Sequence, residues 1–412
     1  MKKIYLFLIA TMSVISIKVN AQSFDEYFTD NTLRLDYIFA GNIDHQYIYV
    51  DELNKMPKWY GRRNRLAELP LAGNGQITVK DHKSGNVIYR HSFSTLFQEW
   101  ITTDESKTTS KSFENVFLVP FPKQPVEITV TLQDYHCKTT ASLTHHVDPN
   151  DILIRHIGER NANSFVTLQK AADTTKCIHI AYLAEGYTKD DMEDFKNDAM
   201  IATEALFAHE PFKSMRELFN IIAVMSPSEE RGTSEPGKGI WKNTILHSHF
   251  DTFYSSRYLT TLQLKQLHNQ LAGTPYEHII VLVNTAVYGG GGVYNSYNLS
   301  YTKGPYFKPV VVHEFGHSFG GLGDEYTHGD SDPMYFPDVE PWEPNLTTKH
   351  NFSNKWENLI LEGKAGMYEG GGYQEKGVFR GCENCRMRVN DVPDFCPVCR
   401  QALTKLINFY TE

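Results

Sequence analysis

Three things are scarce in this 412-residue sequence. It has no basic run: 40 Lys and Arg face 49 Asp and Glu, a formal charge of −9, which argues against nucleic acid or an anionic membrane surface as partner. Beyond residue 21 it has no apolar stretch of the length a membrane helix needs. Cysteine is sparse as well, six in all, and four of these, Cys382, Cys385, Cys396 and Cys399, crowd near the C-terminus.

The one apolar run, 4–17, follows Met1-Lys2-Lys3 and precedes Val19-Asn20-Ala21. A charged start, a short apolar centre and a small residue at the end read as a secretory signal peptide over 1–21. The run is well short of the roughly 20 residues that span a bilayer, and no cysteine follows Ala21 to carry a lipid. The mature chain is therefore expected to be exported, to the periplasm or beyond the cell, and loss of Lys2, Lys3 and Lys18 takes its charge from −9 to −12. Roughly 390 residues remain, enough for two or three domains, and 23 Tyr with 24 Phe suit two hydrophobic cores.

From 22 to 149 the reading is all-β. Short runs rich in β-branched and aromatic residues at 33–39, 45–50, 75–79, 87–89 and 126–132 are separated by turn signals at 72–75 and 83–86, a spacing that favours a small β-sandwich. The adjacent His145 and His146 would point to opposite faces of a strand and read as solvated, not as a metal pair. Asp148-Pro149-Asn150-Asp151 marks a boundary. Over 150–412 the element types alternate: strands at 177–184, 219–225 and 278–284, helices at 189–208 with Thr188 as N-cap and at 262–271, and a long polar loop at 226–256. That pattern gives an α/β sheet. Gly289 to Gly292 read as a flexible turn into an edge strand at 293–301, along which an extended substrate could pair. Beyond Tyr326 the chain reads as irregular until a last helix at 400–410.

The chemistry is concentrated in Lys308-Pro309-Val310-Val311-Val312-His313-Glu314-Phe315-Gly316-His317, followed by Gly320, Gly321, Gly323, Asp324, Glu325 and Tyr326. Residues four apart share a helix face, so His313 and His317 can offer two imidazoles to one Zn²⁺, with Glu314 placed to take a proton from water. The valines bury the helix up to the ligands. The glycines stop it and turn the chain, and Asp324 is the first ligand-type side chain after the turn.

This run resembles the metzincin clan of zinc endopeptidases. With Leu183-Ala184-Glu185-Gly186-Tyr187 and Ser226-Pro227-Ser228, it is most similar to the secreted bacterial IgA-peptidase (igalysin) family, over roughly residue 177 to the C-terminus. The resemblance implies a two-domain protein, an N-terminal β-sandwich followed by a metzincin-like α/β catalytic domain. The implied activity is zinc-dependent cleavage of a protein or peptide substrate, host glycoprotein included. The usual third-ligand place falls on Gly323, but the igalysin spacing is one residue longer and implies Asp324, with Glu325, His328 or a remote carboxylate as alternatives. Glu325 is expected to tie down a ligand histidine. Of two candidates for the methionine beneath the metal, Met367 and Met387, the spacing Cys385-Arg386-Met387, similar to that of archaemetzincins, favours Met387. Val389 stands where several metzincins carry an oxyanion tyrosine, so Tyr326 or Tyr373 would have to supply it.

The paired spacings Cys382-x-x-Cys385 and Cys396-x-x-Cys399 suit a second, structural zinc, whereas export favours disulfides. Cys137 and Cys177 lie in different units and are expected to bridge them or stay unpaired. Asp330 and Asp332 read as an acidic exposed loop more than as a calcium site. Two other function classes remain: a zinc hydrolase of another amide substrate, or a surface module that binds glycan or protein on a zinc-peptidase scaffold. The intact Glu314 argues against the latter, since a scaffold has no use for the base.

Overall fold

The computed structural model describes residues 23–328 and 333–412, so the leader, Asp330 and Asp332 lie outside the described residues. The chain first builds two four-stranded sheets. In one, the long strand Phe28–Gly41 pairs antiparallel with both Gln46–Pro57 and Lys111–Pro122, and Arg155–His156 adds at an edge. In the other the order is Val87–Phe93, Gly75–Asp81, Val126–Gln133, Thr139–Val147. Side chains of Val126–Gln133 alternate strictly between buried and half-buried, the two-residue period of a sheet with one covered face. The covered faces of the two sheets share one aromatic cluster, in which the rings of Phe93 and Phe117 lie 4.2 Å apart.

Four of the five sequence-predicted runs fall within these strands, and the fifth, 45–50, does so from Gln46 onward. Lys111–Pro122, Thr139–Val147 and the short helix Leu96–Ile101 were not read. His146 is exposed as expected, but His145 faces inward, with Nε2 2.7 Å from the Tyr37 hydroxyl.

A six-stranded sheet follows, in the order Gly290–Val293, Tyr297–Tyr301, His278–Val283, Ile178–Glu185, Phe219–Val224, Phe165–Gln169. The inner four strands run parallel and are buried throughout, while both edge strands are antiparallel. A parallel sheet needs cover on both faces, and the two covers differ. Ile180, Tyr182, Ile280 and Leu282 pack against helices Met192–Phe207, Phe307–Ser318 and Pro397–Thr411. Their neighbours Leu183, Ile222, Val224, Ile279, Val281 and Val283 belong to the same apolar cluster as the two N-terminal sheets. There are two cores as expected, but they divide at the six-stranded sheet and not at residue 149. The buried ion pair of Arg34 with Asp36 (2.7 Å) adds to this junction, because Arg34 also donates to Asn269 (2.7 Å) and to the Lys265 carbonyl on helix Leu264–Leu271.

Two more readings change. The glycine run is not a turn but the edge strand itself, and 297–301 is an inner strand. The region after Tyr326 holds a three-stranded sheet of Leu346–Thr347, Gln374–Arg380 and Tyr368–Gly371.

Candidate active site

Helix Phe307–Ser318 tolerates Pro309 because the amides of a first turn have no intrahelical acceptor. Val311, Val312 and Phe315 fix it against the sheet. It ends where Gly321 adopts φ +57°, and the amides of Gly321 and Leu322 return to the carbonyls of His317 and Gly316. A side chain is strained at that φ, and a Cβ there would lie 2.6 Å from Leu71, so the position needs glycine.

The turn brings Asp324 back onto the helix. Its Oδ1 lies 3.1 Å from His313 Nε2 and 3.2 Å from His317 Nε2, and the two Nε2 atoms are 3.0 Å apart. Each Nδ1 faces a backbone carbonyl: His313 that of Arg386 (3.0 Å), His317 that of Leu322 (2.6 Å). A carbonyl only accepts, so each Nδ1 carries the proton and each neutral ring turns a lone pair toward the other and toward a carboxylate. Asp324 Oδ1 is buried with no well-formed hydrogen bond. Such an arrangement calls for a cation at its centre. Donors about 2.0–2.1 Å from a tetrahedral Zn²⁺ are about 3.3 Å apart, close to the spacing found, so the residues present fit that ion. Without a cation the cluster would hold a proton in its place: burial disfavours charge on both partners, yet the Asp324 and Glu314 carboxylates lift His317 to about 9, and the imidazoles hold Asp324 well below the usual carboxylate range.

Glu314 opens to the same cleft, and burial followed by the Asp324 charge raises its pKa. The glycine strand explains its place. A Cβ on Gly290 would stand 2.5 Å from Glu314 Oε1, and one on Gly292 2.5 Å from the Glu314 carbonyl, so only a bare backbone lies this close to the helix. The outer edge of that strand is already engaged at Gly290, whose carbonyl accepts from Leu259 and whose amide donates to Arg257. Tyr297–Tyr301 has a strand on both sides, so it offers no free edge for a substrate of the kind the sequence suggested. Met387 is fully buried beneath the helix, so close that a Cβ on Gly316 would meet its sulfur at 2.6 Å. Met367 is packed only in part against that core.

The cleft, about 880 Å³, is walled by both parts of the chain: Asn74, Glu99 and Tyr135 on one side, Tyr258, His313 and Glu314 among those on the other. Tyr373 donates its hydroxyl to Asp324 Oδ2, and Tyr326 stacks beside His313. Glu325 does not touch a histidine. Its amide bonds to the Met387 carbonyl (2.8 Å), and its Oε1 accepts from Asn345 (3.0 Å) and meets the Cys399 thiol (3.3 Å). Cys385, Cys396, Cys399 and Glu325 present four buried ligand atoms within 4.8 Å of one another, whereas Cys382 stands beside Cys396 as a half-buried neighbour. The Cys385 and Cys399 sulfurs are 3.6 Å apart, far beyond a disulfide bond. Cys137 is exposed, Cys177 is buried beside His179, and no bridge links them.

Glu185 was quoted above only as part of a signature. It is fully buried and accepts from Thr244 (2.5 Å) and from the Leu246 and Ser248 amides. It thereby orders the 226–256 loop, which holds the short turns Pro236–Lys238 and Thr252–Tyr254.

A family model described as IgA Peptidase M64 matches residues 166–365 and 361–407, and one described as Peptidase M64 N-terminus matches residues 23–144. No curated protein matches the chain. No helix among the described residues is long and apolar enough to cross a membrane.

Proposed function

Given that this chain belongs to the IgA peptidase M64 family and carries that family's N-terminal unit as well, we propose that it is an exported zinc-dependent endopeptidase. In this reading a β-sandwich over 22–149 precedes a metzincin-like catalytic domain over 150–412. The observation that carries it is the convergence of two imidazole nitrogens and one carboxylate oxygen within 3.2 Å, beside a glutamate in an open cleft.

His313, His317 and Asp324 would hold Zn²⁺, which when bound supplies Lewis acidity toward water and toward a carbonyl oxygen. Glu314 accepts the proton of the attacking water and returns it to the amine as the C–N bond breaks. Tyr373 and the two backbone carbonyls hold the three ligands in register, and Met387 supports the helix from below. Tyr326 is then the better candidate to face the developing oxyanion, since the Tyr373 hydroxyl is spent on Asp324. The size and two-sided walls of the cleft favour an extended polypeptide over a small amide.

Cys385, Cys396, Cys399 and Glu325 would bind a second, structural zinc. Thiolates about 2.3 Å from a tetrahedral ion lie about 3.8 Å apart, near the 3.6 Å observed. Burial opposes ionisation of Cys385, yet donors from Cys396 and Cys399 lower its pKa below that of an ordinary thiol. Glu325 Oε2 is buried without a partner.

The test is Glu314→Gln. Peptide hydrolysis is expected to fall roughly 10²–10⁴-fold with the metal content unchanged. Hydrolysis at the wild-type rate would remove Glu314 as the base.

A further inference from the structure

We propose that Glu99, a residue of the N-terminal unit, is a specificity-determining residue of the cleft that receives a lysine or arginine side chain of the substrate close to the scissile bond. This rests on the peptidase reading and gives it a substrate class.

Helix Leu96–Ile101 is pinned so that Glu99 has one way to point. Thr95 caps it through the Gln98 amide (3.2 Å), and the Gln98 side chain donates to the carbonyls of Asn74 (2.6 Å) and Gln133 (3.2 Å). On the other side Trp100 is fully buried and donates to Glu105 (2.9 Å). With both neighbours fixed in the interior, Glu99 projects into the cleft, where its Oε2 accepts the Tyr258 hydroxyl.

Among the described residues no lysine or arginine forms an ion pair with Glu99. Of the other carboxylates of the cleft, Glu314 and Asp324 belong to the proposed metal centre, and Glu343, which likewise accepts from a tyrosine (Tyr335, 2.9 Å), has the Lys355 charge acting on it. Burial, reinforced by the Asp324 and Glu314 charges, pushes the Glu99 carboxyl up to about 7 against the pull of Tyr258. A half-buried carboxylate without a counter-ion gains from an arriving ammonium or guanidinium, which also closes it off from water. The cations of the same cleft are placed otherwise. Arg388 donates to the Glu383 carbonyl and to Asn384, and Arg257 is exposed and keeps its water.

The test uses the full-length, zinc-loaded protein and a peptide library read by mass spectrometry. Wild type is expected to favour Lys or Arg at one position flanking the cut. Glu99→Gln keeps an acceptor for Tyr258 and removes the charge, so the ratio of kcat/KM on a basic peptide to that on its neutral match should fall at least about tenfold. Glu99→Lys should shift the preference toward acidic residues. A wild type indifferent to charge, or a Glu99→Gln protein that loses basic and neutral peptides in equal proportion, overturns the proposal. If no peptide is cut, the peptidase reading fails, and binding decides this one separately. In fluorescence anisotropy on Glu314→Gln protein, adding Glu99→Gln should weaken binding of the basic peptide at least about tenfold, and equal binding overturns it.

Discussion

Three other groups hold Asp324 in place for the proposed metal centre. Gly321 makes the turn, Tyr373 donates to its outer oxygen, and the Glu325 amide beside it bonds to the Met387 carbonyl. Asp324→Ala removes the one anionic ligand, and the protein is expected to lose its catalytic zinc while keeping its far-ultraviolet circular dichroism. Elemental analysis showing full zinc in the folded variant would move the third ligand elsewhere. Gly290 tests the geometry from the other side. Its backbone is held at both ends by Arg257 and Leu259, so the methyl of Gly290→Ala would displace Glu314 and not the strand. A displacement near 1 Å costs roughly 10²-fold in turnover, expected here with zinc still bound. At this scale the sequence was most legible, since His313, Glu314 and His317 follow from helix spacing and the family resemblance implied Asp324, all within twelve residues. Glu99, Glu185 and the true partners of Glu325 were not legible, because each acts through contacts distant in sequence that no local period reports.

Among the elements, the strands and helices that were read correctly are those whose apolar period is strong, such as 178–185 and 192–207. Two that were misread lack side chains to show a period. The glycine strand Gly290–Val293 has three bare positions, and its glycines exist for the helix beneath it, not for a bend. The tail hid a sheet for a similar reason, because Tyr368–Gly371 and Gln374–Arg380 meet across Gly372 and Tyr373, both at positive φ. That hairpin delivers Tyr373 to Asp324, and the cysteine cluster ties the loop after it to helix Pro397–Thr411, which begins between Cys396 and Cys399. Wild-type protein should therefore contain two zinc atoms per chain. Cys385→Ser should contain one, with Tm lower by roughly 5–10 °C, the shift expected for a few kcal/mol of lost metal binding. Two zinc atoms retained in Cys385→Ser, or one in wild type, would return these thiols to a role without metal.

The whole molecule is less divisible than two family matches and two predicted domains suggest. The inner strands of the six-stranded sheet send alternate side chains to two clusters, and the second of these joins helix Leu264–Leu271, Leu246, Phe250 and Leu259 of the long loop, and the N-terminal sheets in one core. The N-terminal unit also supplies one wall of the cleft and, through Arg34, a buried charge that reaches helix Leu264–Leu271. A chain starting at residue 150 would keep helix Leu264–Leu271 and the loop but strip the N-terminal side from their shared core, together with one wall of the cleft. The shortened protein is expected to aggregate or to lack cooperative unfolding, although every proposed zinc ligand and Glu314 are still present in it. Gel filtration with thermal denaturation decides the matter: a monomer that unfolds cooperatively and cuts peptides would show that the N-terminal unit is an independent attachment and not half of the catalytic core.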